Sequence, residues 1–215
     1  MSIDAYLNKT RKEYQKGELD ERSVLACPIS QFRIWFDEAM AHADGEPNAC
    51  ALATVGADSQ PTVRMLLLKA FDERGFVFFT NYSSRKAEQL AHNPRGALLF
   101  YWNALERQVR LEGRVEPVAV EESEAYFESR PLAARIAASI SRQSESAPSR
   151  ASMEESFASF SAKHQGVPVK RPTNWGGYRL RPMRFEFWQG RENRLHDRIV
   201  YTEENGQWSI KRLWP

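Results

Sequence analysis

Residues 64–86 read RMLLLKAFDERGFVFFTNYSSRK. Two apolar runs, residues 65–68 (MLLL) and 76–79 (FVFF), flank a polar FDERG segment whose Gly75 can take positive φ. That spacing predicts a β-hairpin turned at residues 72–75. Ser83 and Ser84 then precede RKAEQLAH, which predicts a serine-capped helix with Arg85 and Lys86 in its first turn. A helix N-terminus offers free N–H groups and the positive end of a dipole, so two added cations make it a phosphate site. An isolated Arg-Lys pair is usually a solvated surface feature. Here Arg64 and Lys69 also bracket the first apolar run, and cations beside so apolar a segment need a partner or an exposed strand end. The stretch predicts a hairpin that presents cations to an anion.

Strand patterns continue on both sides. ACALATV (49–55), PTVRMLLLKA (61–70), GFVFFTN (75–81), GALLFYW (96–102) and ERQVRLEGRVEPV (106–118) follow one another, with the 85–92 helix ended by Asn93-Pro94. Short strands, tight turns and one inserted helix predict an antiparallel barrel, mainly β with flanking helices in the α+β class. Within RQVRLEGRVEP, Gln108, Arg110 and Glu112 alternate with Val109 and Leu111, so one face is wet or faces a ligand. Upstream, Ser30 is the expected N-cap of QFRIWFDEAMAHA, whose Phe32, Trp35, Phe36, Ala39 and Met40 form a core stripe at helical spacing. Residues 121–130 predict a helix stopped by Pro131, with Tyr126 and Arg130 four apart on one face, a surface pair or a phosphate clamp. Residues 139–151 read as a loop, 152–164 as a surface helix and 165–177 as a connecting loop. YRLRP and MRFEFWQ read as two strands, and RIVYTEENGQWSIKRLW as a hairpin turned at Asn205-Gly206.

With 215 residues, 42% of them hydrophobic, the chain is expected to form one domain over 1–215, residues 1–20 being a mobile arm. Residues 4–16 have helical potential but are too polar to anchor themselves strongly. Six Trp and 12% aromatic residues suit a β-rich interior or a planar ligand. The net charge of +2, from 30 basic and 28 acidic residues, gives no global field for nucleic acid or membrane, so any anion site must be local. Cys27 and Cys50 lack metal-ligand spacing, so no metal and no disulfide framework is expected. The polar N-terminus lacks the apolar core of a secretory signal, and no apolar run reaches membrane-spanning length, so the expected compartment is the cytoplasm.

Near the C-terminus lies FWQGRENRLHDR (187–198). Arg194, His196 and Arg198 occupy alternate positions, and in an extended segment they share one face, with Trp188 just upstream. Like charges so crowded need an anion or an electron-rich group between them, which predicts a binding surface.

Together these segments resemble the pyridoxamine 5′-phosphate oxidase family, also called pyridoxine 5′-phosphate oxidase. The likeness runs from RKEY (11–14) through RMLLLK, FFTNYSSRK, NP, LERQV, YFESRP, RQS, WGGYR, FWQG and RLHDR to the closing RLWP. FWQG with RLHDR is the most specific part. The resemblance implies an FMN-binding split β-barrel, a homodimer with FMN at the subunit interface, and oxidation of pyridoxamine or pyridoxine 5′-phosphate by O2. By the same resemblance Arg64, Met65, Leu66, Leu67 and Leu68 line the flavin, Phe79 and Thr80 contact it, and Arg85 and Lys86 bind its phosphate. Gln108, Gln143, Ser144, Trp188 and Arg198 complete the FMN set. For the substrate, Lys69, Tyr126 and Arg130 grip the phosphate, Arg194 and His196 hold the ring and are the catalytic candidates, and Arg11 and Tyr14 close over it. Arg64 and Lys69 are five apart, so a regular strand would set them on opposite faces; two ligands, a strand-end twist or a bulge are all compatible.

Two places depart from the family pattern. After RP, where the family has a Ser and a Gly-Ala-Trp sequence, this chain reads LAARIAASIS, with Ala134 where the phosphate-binding Ser would stand and Arg135 beside it, and Glu46 replaces an Asp before a Pro. These bear on substrate preference more than on the cofactor. The rival readings are an FMN oxidase of the phenazine-biosynthesis type acting on a tricyclic substrate, which shares the SRQSE loop at 141–145, and a non-catalytic FMN or pyridoxal-phosphate carrier. Retention of Lys69, Tyr126 and Arg130 argues for the phosphorylated substrate. Balanced charge and the lack of a basic-aromatic run make a nucleic-acid-binding barrel the weakest reading.

Overall fold

Alternation of small and branched apolar residues in ACALATV decides the first pairing. In the computed structural model, which describes residues 3, 7, 13–42 and 45–215, β1 (Ala49–Val55) buries every second residue and pairs antiparallel with β2 (Pro61–Leu67), Ala49 opposite Leu67 and Val55 opposite Pro61. The sheet runs β2, β1, β5 (Arg95–Trp102), β6 (Arg107–Pro117), β7 (Trp175–Gln189), β4 (Gly75–Asn81), β3 (Ala70–Asp72), with β8 (Asp197–Glu204) on β7 and β9 (Gln207–Arg212) on β8. The chain is mainly β with flanking helices, as expected.

This pairing corrects the reading of residues 64–86. Residues 65–67 of the MLLL run belong to β2 and pair with β1, whereas FVFF lies in β4 (Gly75–Asn81), whose hairpin partner is the three-residue β3 (Ala70–Asp72). The turn stands where expected, with Gly75 at φ +133. Its partner strand is too short to show a period, and the choice of strand partners is set by distant segments.

The chain forms two compact units that alternate along the sequence. One comprises residues 48–98 and 112–182. Here β4 pairs with the first part of β7 (Trp175–Gln189), Phe76 opposite Leu180 and Asn81 opposite Trp175. α2 (Arg85–His92), α3 (Val120–Ser129), α4 (Leu132–Ile140) and α5 (Arg150–Lys163) flank it, and Phe127, Ile136, Ala138, Val169 and Trp175 form a buried cluster. α5 buries none of its side chains fully, in keeping with a surface helix, and starts with a capping box between Ser149 and Ser152. The loop expected over 139–151 is shorter at both ends, α4 running to Ile140 and α5 starting at Arg150; the alanines of LAARIAASI favour helix.

The other unit comprises residues 1–47, 99–111 and 183–215. α1 (Pro28–His42) starts two residues before the expected cap Ser30, because proline tolerates the first helical position, where its missing N–H costs nothing. Phe32, Trp35 and Ala39 are buried as expected, Phe32 at 5.1 Å from Phe100 and Trp35 edge-on to Phe187, but Met40 is exposed. The second part of β7 pairs with β8 (Asp197–Glu204), and β8 with β9 (Gln207–Arg212), turned at Asn205 and Gly206, both at positive φ. β7 passes through Pro182 without the predicted break. Pro182 falls between the β4 register, which ends at Leu180, and the β8 register, which starts at Arg184, so its missing N–H falls between those two ladders. β5 (Arg95–Trp102) and β6 (Arg107–Pro117) also run from one unit into the other.

Gln15 and Lys16 donate backbone N–H groups to Glu106, and Leu19 donates to Asp197. Arg11 lies outside the described residues.

Candidate functional site

In the unit of residues 48–98 and 112–182, β2 and α2 bring together three cations. The Arg64 guanidinium donates from Nη1 to the Leu52 carbonyl (3.0 Å) and Thr54 Oγ1 (2.6 Å), and from Nη2 to Thr62 Oγ1 (2.5 Å). Lys86 Nζ donates to Thr80 Oγ1 (2.8 Å), Ser84 Oγ (3.0 Å) and Gln143 Oε1 (2.7 Å). All these acceptors are neutral, and among the described residues no carboxylate pairs with Arg64, Arg85 or Lys86. Burial, then the nearby Arg64, push the Lys86 ammonium down to about 8. Burial and Arg85 lower Arg64 as well. Uncompensated like charges on a helix start await an anion.

The expected serine cap is altered. Ser84 is in the N-cap position, but its hydroxyl donates to the Asn81 carbonyl (2.7 Å) and accepts from Lys86. Ser144, at φ +77, accepts the Arg85 backbone N–H at 3.2 Å.

A cavity of about 560 Å³ adjoins this cluster, sharing Thr80 and Gln143 with it. Leu66, Leu67, Lys69, Phe79, Tyr126 and Arg130 also line it, and no lining residue is acidic. Tyr126 stacks on Phe79 at 3.9 Å, and Trp175 stacks on the same ring at 5.5 Å. The Arg130 guanidinium lies 4.7 Å from the Trp175 ring centre, and its buried Nη1 has no hydrogen-bond partner. Burial lowers its pKa. Arg130 is not on the helix face with Tyr126: α3 ends at Ser129, and Arg130 is extended (φ −76, ψ 147) because it precedes Pro131. β2 ends at Leu67, so Lys69 escapes the strand alternation and reaches the cavity, while Arg64 turns toward Thr54 and Thr62. Met65 is exposed and Leu68 buried, and neither lines the cavity. Ala134, Ala137 and Ala138 on α4 line it too; only Ala134 was singled out in the sequence, although helical spacing of the three was legible.

The second group lies in the unit of residues 1–47, 99–111 and 183–215. Tyr14, Trp188 and His196 form an aromatic cluster, with ring centres 5.6 Å apart for Tyr14–Trp188 and 4.8 Å for Trp188–His196. Gly190 of FWQG permits this, since a Cβ there would sit 2.6 Å from the Tyr14 ring. His196 Nδ1 accepts the Arg191 backbone N–H at 3.1 Å, which puts the proton of a neutral imidazole on Nε2. Burial, then Arg194, lower its pKa and favour that neutral form. Arg194, His196 and Arg198 do not share an extended face: Asn193 and Arg194 are at positive φ in a turn, and β8 starts only at Asp197. Arg198 is held by buried Glu186 (2.8 Å), which also accepts from Arg110, and by the Trp214 carbonyl. Gln108 is half-buried on β6, between residues that alternate as predicted.

Residues 36–164 match the model of the family described as pyridoxamine 5′-phosphate oxidase, and residues 175–215 match its pyridoxine 5′-phosphate oxidase C-terminal dimerisation region. The chain belongs to the pyridoxamine 5′-phosphate oxidase family. It is 55% identical to the pyridoxine/pyridoxamine 5′-phosphate oxidase of Cupriavidus pinatubonensis over 95% of this chain and 97% of that one. It is 50% identical to the enzyme of the same name from Trichormus variabilis, over 99% of this chain and all of that one. Among solved structures, PhzG from Burkholderia lata in complex with tetrahydrophenazine-1-carboxylic acid superposes with a TM-score of 0.87 at 29% identity, covering 92% of this chain and 98% of that one. A pyridoxamine 5′-phosphate oxidase-related, FMN-binding protein of Nostoc punctiforme, with a TM-score of 0.70 at 19% identity over 86% and 97%, shares the fold. The fold is the FMN-binding split barrel, and the cofactor of this oxidoreductase family is FMN. The cluster of Arg64, Arg85 and Lys86 fits such a group, for its charges are set among neutral acceptors that leave them unneutralised. Among the described residues no helix is long and apolar enough to cross a membrane.

Proposed function

We propose that this chain oxidises pyridoxamine 5′-phosphate or pyridoxine 5′-phosphate at C4′ to pyridoxal 5′-phosphate, with O2 reduced to hydrogen peroxide. The observation that carries this reading is the cavity beside the cation cluster, which holds two further cations, Lys69 and Arg130, and no acid. Two cation groups suit two phosphorylated ligands. Arg64, Arg85 and Lys86 hold the FMN phosphate, with Gln143 and Ser144 beside them. Leu66, Leu67, Phe79 and Thr80 border its ring, with Met65 and Leu68 in the same apolar run, and Gln108, Trp188 and Arg198 complete the set. FMN, when bound, supplies two-electron redox chemistry and passes the electrons to O2.

The chain's own residues position the substrate. Lys69, Tyr126 and Arg130 grip its phosphate, and the stacked Phe79, Tyr126 and Trp175 keep that end dry. His196 donates from Nε2 and Arg194 from its guanidinium to hold the ring and the C4′ substituent, and Tyr14, with Arg11, covers them. The amine route releases ammonia after hydrolysis. The chain works as a homodimer through its dimerisation region, with FMN at the interface, and its cytoplasmic location rests on the sequence.

Purified protein supplied with FMN and pyridoxine 5′-phosphate in air should form pyridoxal 5′-phosphate and peroxide in equal amounts. A yellow protein without product would leave the carrier reading; turnover of a tetrahydrophenazine carboxylate in preference to the phosphorylated vitamers would leave the phenazine reading. Arg194→Ala should lower turnover roughly 10- to 100-fold with FMN affinity unchanged, and loss of flavin would refute this role.

Lys86 also sets a pH dependence. Its ammonium is charged below about 8 and neutral above, whereas the FMN phosphate stays dianionic above roughly 6. FMN affinity, measured by flavin fluorescence quenching, should therefore fall as pH rises through 8. The apoprotein responds oppositely, because a lysine depressed by folding destabilises most below about 8 and the penalty is relieved toward 10.5. Wild-type apoprotein should gain thermal stability relative to Lys86→Met over that range.

A further inference from the structure

Arg64 donates from both of its terminal nitrogens to neutral acceptors, with no carboxylate among them. Arg110, Arg179, Arg198 and Arg212 are all bonded to Asp or Glu. The acceptors of Arg64 come from two adjacent strands, and behind them stands Gln89 on α2, 6% exposed. Gln89 Oε1 accepts the hydroxyl protons of both Thr54 and Thr62, each at 2.7 Å, and lies 3.5 Å from Arg64 Nη2. A threonine hydroxyl has one proton and two lone pairs. With both protons directed to Gln89, the lone pairs of Thr54 and Thr62 are turned to Arg64 Nη1 and Nη2, where they accept at 2.6 and 2.5 Å.

We propose that Gln89 is a positioning residue for the cofactor phosphate: acting through Thr54 and Thr62, it fixes the Arg64 guanidinium while leaving its charge uncompensated for an anionic ligand. This rests on the reading that Arg64 faces the FMN phosphate. A carboxylate at position 89 would accept the same two protons and hold the same geometry, but would neutralise Arg64 from behind. The amide thus supplies acceptor capacity without charge, as Gln143 does for Lys86. A merely space-filling or helix-anchoring Gln89 would make no such distinction between amide and carboxylate.

The test compares FMN with riboflavin, which differ by the phosphate alone, on wild-type apoprotein, Gln89→Glu and Gln89→Met, by fluorescence titration and thermal melting. Wild type should prefer FMN strongly. In Gln89→Glu that preference should fall about tenfold or more, with riboflavin affinity and melting temperature held or raised. Gln89→Met, which has no strong acceptor, should lose preference several-fold through misplacement of Arg64. A preference unchanged in either variant overturns the proposal, and Gln89→Met decides it should Gln89→Glu not fold. Failure of the underlying reading is separately visible, since wild type would then bind riboflavin as tightly as FMN.

Discussion

Lys86→Ala should weaken FMN binding by roughly 30- to 150-fold without unfolding the protein. A charge-assisted hydrogen bond to phosphate contributes about 2–3 kcal/mol, and the Lys86 ammonium is held by neutral Thr80, Ser84 and Gln143 and pressed by Arg64. The same residue costs the apoprotein stability, because burial disfavours its charge. Its removal should leave the apoprotein melting temperature unchanged or higher, since Ser84 still donates to Asn81 and Thr80 to Gln143. Titration of apoprotein with FMN, alongside melting of the same sample, checks both halves. A variant that binds FMN like wild type would remove Lys86 from the phosphate site.

Arg130→Ala should cost about 100-fold in kcat/KM for pyridoxine 5′-phosphate, chiefly through KM, because a phosphate contact made equally in ground and transition states is uniform binding. The unpartnered Nη1 beside the cavity is the reason for so large an effect: a buried donor without an acceptor in the free protein gains fully when a phosphate oxygen arrives. Stability should change little, as loss of the contact over Trp175 is offset by removal of that unsatisfied donor. Steady-state kinetics with phosphorylated and phosphate-free vitamers gives the check. Equal losses on both substrates would mean that Arg130 acts on the ring or the fold.

Local chemistry was legible in the sequence where a residue's neighbours along the chain decide its conformation. The alternation in ACALATV gives β1, Asn205-Gly206 gives the last hairpin, and Asn93-Pro94 ends α2. What depends on partners distant in sequence was not. FVFF looks for a strand and finds it in residues 175–180, and the hairpin beside it is closed by only three residues. The positive φ of Asn193 and Arg194 breaks a pattern that reads as extended, because side-chain periodicity carries no information on a backbone reversal. The candidate site divides in the same way. Its cations stand out because charges beside apolar runs are conspicuous, whereas Thr54, Thr62 and Gln89, which hold Arg64, are ordinary residues made functional only by strand register and by a helix 27 and 35 residues further on.

The alternation of units along the chain bears on modularity. Residues 36–164 and 175–215 match two separate family descriptions, as if the protein were assembled from a catalytic part and an association part. Yet β5, β6 and β7 each begin in one unit and finish in the other. A fragment ending at residue 164 would lack Trp175, the ring against which Phe79 and Arg130 rest, together with β7, the longer of the two strands that pair with β4. Neither half is a transplantable cassette. Swapping the C-terminal region between relatives would exchange part of the cavity wall along with it, so chimaeras meant to alter association will alter ligand binding too.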